Sequence, residues 1–158
     1  WPYALIIGCL LIGGLIRSGG RTADEITVTC RREERARELA GKYGIAATLD
    51  NGEAVKGSDV IVLMAKPQDM EVLIEQARAH VGPEDLVITF AAGIRTSFVE
   101  KHLPDDVPVV RVMSNVPVMV DEAMSVIAAG SHGELVRERG LYARLASLQF
   151  LGDLSTVP

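Results

Sequence analysis

Short apolar runs rich in β-branched residues alternate along this chain with stretches of helical periodicity. Residues 3–8 form a brief apolar run ending at Gly8, which reads as a strand, and the helix-compatible residues 12–18 stop at Gly19 and Gly20. Residues 26–30, ITVTC, read as a second strand. Ala36, Leu39, Ala40 and Tyr43 then fall at i, i+3, i+4 and i+7, a helix stripe closed by Gly44. Residues 45–48 are a short strand candidate, Asp50 and Asn51 are helix-starting types ahead of residues 53–56, and residues 60–65, VIVLMA, are a continuous apolar strand. The stripe returns at Met70, Leu73, Ile74 and Ala77 within residues 68–80. Strands are expected at residues 86–89, 109–113 and 124–129, with a helix capped by Thr96 or Ser97 running to Leu103 and a last one over residues 133–150. Repeated strand-helix-strand units predict an α/β fold, a doubly wound, mostly parallel sheet with helices on both faces and right-handed crossovers.

Composition narrows the class. At 158 residues, 48% hydrophobic and 23% charged, with a mean hydropathy of +0.23, the chain has material for one well-packed domain over residues 1–158. Its 16 Lys and Arg against 21 Asp and Glu leave a net charge of −5, which argues against a nucleic-acid surface. With one Trp, three Tyr and three Phe, the core must be mostly aliphatic. Cys9 and Cys30 form neither a disulfide framework nor a metal-ligand spacing, so no metal is expected and a reducing, cytoplasmic setting fits. Residues 4–16 carry no charge and match a signal-peptide core in length. They are shorter than the roughly 20 residues that span a bilayer and lack a basic flank, so a buried strand running into a packed helix is the favoured reading and no membrane partner is expected.

Ligands of a doubly wound sheet bind beyond the carboxyl ends of its strands. After the first expected strand, Gly8, Cys9, Leu10, Leu11, Ile12 and Gly13 occupy the place of a G-x-G-x-x-G phosphate loop, with Leu10 where the second glycine belongs. A plain strand-to-helix turn without a ligand is the alternative. After the second strand stand Cys30, Arg31 and Arg32, where a carboxylate would mark NAD. Two guanidinium groups offer forked donors to the 2′-phosphate of NADP; the alternative is a pair of solvated first-turn residues. With this strand order, Cys9 and Cys30 should lie near one another.

Four further stretches carry a family resemblance. Asp50-Asn51-Gly52-Glu53-Ala54, Ala65-Lys66-Pro67-Gln68, Ala91-Ala92-Gly93-Ile94 and Val110-Arg111-Val112-Met113-Ser114-Asn115-Val116-Pro117 resemble, in order and spacing, the D-N-x-E-A, V-K-P-Q, A-A-G-I and V-R-V-M-P-N-T-P motifs of pyrroline-5-carboxylate reductases. The resemblance implies an N-terminal NADPH-binding domain and hydride transfer to the C=N bond of 1-pyrroline-5-carboxylate, a small cyclic imine, giving proline. It also implies a following helical domain, absent from this chain, through which the family dimerises.

Carried over residue by residue, the loop at residues 8–13 would face the pyrophosphate and Arg31 and Arg32 the 2′-phosphate. Asn51 would lie beside the adenosine, or serve as an N-cap. Ala65, Lys66 and Pro67 would pass under the nicotinamide ribose, and the small Ala91, Ala92 and Gly93 would admit the nicotinamide. Asn115, with Lys66, would stand at the hydride-transfer end, and no general acid is assigned because the cofactor carries the chemistry. Leu10, Leu11, Ser114 and Val116 depart from the family pattern in loops expected to touch ligand. They leave open a reductase of another imine, another two-domain NADP-dependent dehydrogenase, or a non-catalytic interaction module. His80, His102 and His132 match no motif and receive no chemistry.

Overall fold

The computed structural model describes residues 3–114 and 125–129; Asn115, Val116 and the helix expected over residues 133–150 lie outside the described residues. The elements are α1 (Tyr3–Arg17), β1 (Thr27–Thr29), α2 (Glu33–Tyr43), β2 (Ala46–Thr48), α3 (Asn51–Val55), β3 (Val60–Leu63), α4 (Met70–Ala77), β4 (Leu86–Thr89), α5 (Thr96–His102), β5 (Val109–Ser114) and β6 (Ser125–Ala129). The expected α/β class with a mostly parallel sheet holds. β1 pairs with β2, and β3, β4 and β5 pair in sequence, all parallel; β6 closes the far edge antiparallel to β5. Among the described residues these pairings make two sheets, ordered β1-β2 and β3-β4-β5-β6.

The N-terminal expectation is corrected. Residues 3–8 are not a strand and residues 8–13 are not a loop: Tyr3–Arg17 is one helix of 15 residues. The apolar run concealed a helical period, because Cys9, Ile12, Gly13 and Ile16 stand at i, i+3, i+4 and i+7. Ile12 and Gly13 are buried, while Cys9 and Ile16 pack beside them against Leu39 of α2 and Ile45. At about 1.5 Å per residue α1 reaches about 22 Å, short of a hydrocarbon core of about 30 Å. Among the described residues no helix is long and apolar enough to cross a membrane.

The main core lies between β3-β4-β5 and the helices α4 and α5. Ile61 and Leu63 of β3, Val87 of β4 and Val109 of β5 meet Met70, Ile74 and Ala77 of α4 and Val99 of α5. The apolar stripe at residues 70–77 thus packs as its spacing predicts, with 3-10 turns at Pro67–Asp69 and Arg78–His80 flanking α4. Arg111 is fully buried on β5, beside the equally buried Thr89 of β4.

Turn chemistry sets the helix ends. Gly44 ends α2 in the left-handed conformation, φ 70°, donating its N–H to the Ala40 carbonyl. Asp50, and not Asn51, caps α3: its Oδ1 accepts from the Glu53 N–H at 3.0 Å. α5 starts after Arg95 with no side-chain cap; Thr96 is instead its first residue and is buried. Because a Cβ penalises the left-handed conformation, Gly44→Ala should cost about 1 kcal/mol. Urea unfolding should show that loss as a lower midpoint with an unchanged slope.

Candidate functional site

Parallel strands present their carboxyl ends on one side, and the segments that leave β1, β2, β3 and β4 carry most of the singled-out residues. Arg31 follows β1 and is 73% exposed, and its guanidinium pairs with the carboxylate of Asp69 in the turn beyond β3. That contact ties the exits of the two sheets together. Arg32 stands at the start of α2 without a side-chain cap, ahead of Glu33 and Glu34, which favour the positive end of the helix dipole. Asn51 opens α3 and donates its Nδ2 to Gln76 Oε1 of α4 at 2.7 Å. Gly52 permits this approach, since a Cβ there would stand 3.2 Å from the Gln76 carbonyl oxygen.

Beyond β3, Ala65 is half-buried, Lys66 and Pro67 are exposed, and Pro67 begins the 3-10 turn. Beyond β4, Ala91 is buried and donates its N–H to Thr89 Oγ1 at 3.2 Å, Ala92 and Gly93 are exposed, and Gly93 has a φ of 79°. Phe90 donates its N–H to the Leu63 carbonyl at 3.3 Å, which fastens the β4 exit to the β3 exit. These loops provide a guanidinium, an ammonium group and a close-approach backbone. Among the described residues no group of three or more His, Cys, Asp or Glu side chains could hold a metal ion.

The expected phosphate loop is absent from this assembly. Gly8, Cys9, Leu10, Leu11, Ile12 and Gly13 all lie within α1, where amide N–H groups serve the helix ladder and are not offered to a phosphate. α1 still reaches the strand exits, for a Cβ at Gly8 would lie 3.6 Å from Met64 Sδ, just past β3. Cys9 Sγ accepts from Arg35 Nη2 at 2.8 Å, and the Cys9 carbonyl accepts from the Tyr43 hydroxyl at 3.2 Å. A cavity of about 230 Å³ between α1 and α2 is lined by Cys9, Arg35, Glu38, Lys42 and Tyr43. The Glu38 carboxylate beside Arg35 raises the guanidinium pKa and is itself held below the usual carboxylate range.

Cys9 and Cys30 do lie near one another, packing on the same small apolar cluster, although Cys9 arrives from a helix. Burial pushes the Cys30 thiol up, opposed in part by Arg35. The Arg31–Asp69, Asn51–Gln76 and Arg35–Cys9 contacts had no sequence signal, since each joins residues of different elements. For Asp69 the nearest hint was a carboxylate two residues beyond Pro67.

In open α/β sheets ligands bind beyond the carboxyl ends of the strands, and here those exits carry a basic pair and a small-residue loop. The chain belongs to the family described as "NADP oxidoreductase coenzyme F420-dependent", whose model matches residues 4–93. Its relatives are those that the four motifs resembled. It is 36% identical over 123 residues to "Pyrroline-5-carboxylate reductase 1" of Bacillus subtilis, covering 77% of this chain and 41% of that protein. The structure of a pyrroline-5-carboxylate reductase from Coxiella burnetii superposes with a TM-score of 0.74 at 26% identity, covering 91% of this chain and 52% of that one. The Plasmodium falciparum pyrroline carboxylate reductase, solved with NADP bound, shares the fold with a TM-score of 0.67 at 16% identity, covering 80% and 45%. The chain therefore spans about half the length of the relatives it matches.

Two outcomes are expected from this geometry. Inside α1, Leu10→Gly should lower stability by about 1 kcal/mol, the helix cost of glycine, measured by thermal or urea unfolding. The raised Cys30 thiol pKa means that the stability of burying the neutral thiol is fully present below its unfolded value, about 8.5, and is lost as pH rises through the higher folded value. Peptide-mapped iodoacetamide labelling should accordingly place the Cys30 alkylation midpoint above that of a free cysteine.

Proposed function

We propose that this chain is the nucleotide-binding part of an NADP-dependent reductase that transfers hydride to the C=N bond of a small cyclic imine, 1-pyrroline-5-carboxylate, to give proline. The observation that carries the reading is the Arg31–Asp69 pair: the guanidinium just past β1 already holds an anion. A 2′-phosphate is a dianion that the same fork of donors accommodates. Arg31 and Arg32 bind it, Asn51 lies along the adenosine side, and Ala65, Lys66 and Pro67 flank the nicotinamide ribose. Ala91, Ala92 and Gly93 leave room for the ring, and Asn115, outside the described residues, is assigned to the hydride-transfer end by its place in the last of the four motifs. When bound, NADPH supplies the hydride; the chain orients it and excludes water. The helical α1 does not fit a pyrophosphate cradle at residues 8–13, so no binding step is assigned to that segment.

The imine carboxylate and the oligomer contacts belong, in this reading, to a helical domain following this one in the full-length protein. The two free cysteines support a cytoplasmic setting. A second reading, a non-catalytic interaction module, is favoured by one observation, the helix in place of the phosphate loop.

Titration with NADPH and NADH separates the readings. The reductase reading expects saturable NADPH binding with NADH weaker by roughly tenfold or more, the worth of charge-assisted hydrogen bonds to one phosphate. Absence of binding for both at millimolar concentration supports the module, and equal NADH binding removes the role given to Arg31 and Arg32. Asp69→Asn should tighten NADPH by at most about fivefold, because an exposed ion pair is worth under about 1 kcal/mol, and leave NADH unchanged.

A further inference from the structure

Cys9 lies within α1 and Cys30 directly after β1, yet both pack against the same buried trio of Ile12, Leu39 and Ile45. Both are free thiols and both are half-buried. Two contacts from α2 fix the Cys9 end. The Tyr43 hydroxyl donates to the Cys9 carbonyl at 3.2 Å, and Arg35 Nη2 donates to Cys9 Sγ at 2.8 Å. Glu38 holds the other arm of that guanidinium, so the fork is anchored on both sides. Among the described residues the buried Arg35 Nε meets no acceptor, although buried donors are ordinarily satisfied. Cys9 and Arg35 both stand in the wall of the cavity of about 230 Å³ between α1 and α2. A thiol under a cationic fork, at the wall of a cavity and with a second thiol on its own cluster, has the parts of a redox-sensitive cysteine pair.

We infer that Cys9 is a modification site for a small hydroperoxide, with Cys30 as its resolving partner. The Cys9 sulfur attacks one peroxide oxygen. The S–O bond forms as the O–O bond breaks, sulfur is oxidised and the peroxide reduced, and the departing oxygen takes up the thiol proton and leaves as water or an alcohol. Arg35 supplies cationic donors to the oxygen that gains charge, and its Nε has no other acceptor to give up. The Cys30 sulfur then attacks the Cys9 sulfur of the sulfenic acid. That S–O bond breaks, the Cys30 proton departs with the hydroxyl as water, and a Cys9–Cys30 disulfide remains. The order of the two thiols follows from their surroundings. Cys9 borders the cavity and receives the Arg35 fork, whereas burial keeps Cys30 protonated to higher pH, close enough to Cys9 and Arg35 to sense the charge of both. A disulfide that forms only on oxidation is the kind a reducing compartment allows. None of these steps depends on the nucleotide reading.

The test exposes the fully reduced chain, freed of reductant, to hydrogen peroxide, traps it with dimedone and iodoacetamide, and weighs the tryptic peptides. The expected product has residues 1–17 joined to residues 22–31 through their cysteines, formed at least roughly tenfold faster than free cysteine is oxidised. Cys30→Ser should leave Cys9 as the dimedone adduct, and Cys9→Ser should leave Cys30 reduced. Arg35→Gln should slow the loss of the Cys9 thiol by roughly tenfold or more, the worth of one charge-assisted hydrogen bond, and an unchanged rate removes Arg35 from the site. A Cys9 thiol in the unsubstituted chain that reacts no faster than free cysteine overturns the proposal, whatever the variants do. A dimedone adduct at Cys9 of that chain without joined peptides overturns the role of Cys30. So does a disulfide whose yield rises with protein concentration, because it then links two chains.

Discussion

The burial of β3, β4 and β5 against α4 and α5 is the interaction on which the described structure rests. Met70, Ile74, Val87 and Val99 are almost wholly withdrawn from water, and the strands they lie on or cover are parallel, so each needs a crossover helix of the right length and polarity. Their register follows from the same burial. A slip by one residue would turn Ile61 and Leu63 outward and bring Val60 and Val62 in, exchanging a packed face for an exposed one.

That packing aligns the strand exits, and the candidate site consists of what leaves them. Pro67 directs the chain away from β3 into α4, Gly93 turns it after β4, and the Phe90–Leu63 hydrogen bond keeps those two exits adjacent. The β1-β2 pair carries Arg31 and joins the rest through Arg31 with Asp69 and Asn51 with Gln76, both polar contacts. The smaller cluster of Ile12, Leu39 and Ile45 holds α1 to that pair. The domain therefore has a larger half, cemented by aliphatic burial, and a smaller half joined to it by these polar contacts and by α3, whose Val55 packs against the main cluster.

Much of the fold was legible in the sequence. The stripe at Met70, Leu73, Ile74 and Ala77, the runs that became β3 and β4, and the stop at Gly44 all express local rules of period, β-branching and backbone freedom. The ordered motifs at residues 50–54, 65–68, 91–94 and 110–117 pointed to a family that the relatives bear out. The N-terminus misled because a continuous apolar run satisfies strand and helix alike; Cys9, Ile12, Gly13 and Ile16 decide for a helix only once Leu39 and Ile45 are there to receive them. Asn51 misled on a smaller scale, since its neighbour Asp50 took the cap and left its amide for Gln76.

The sequence by itself determined the α/β alternation, the family and the segments that leave the strands, because periodicity and turn preference act over a few residues. Only the tertiary structure decided that residues 8–13 are helix, that Asp69 holds Arg31, and that β1 and β3 fall in separate sheets among the described residues. Each of these depends on which distant groups arrive within contact distance, and such contacts have no local signature in the chain.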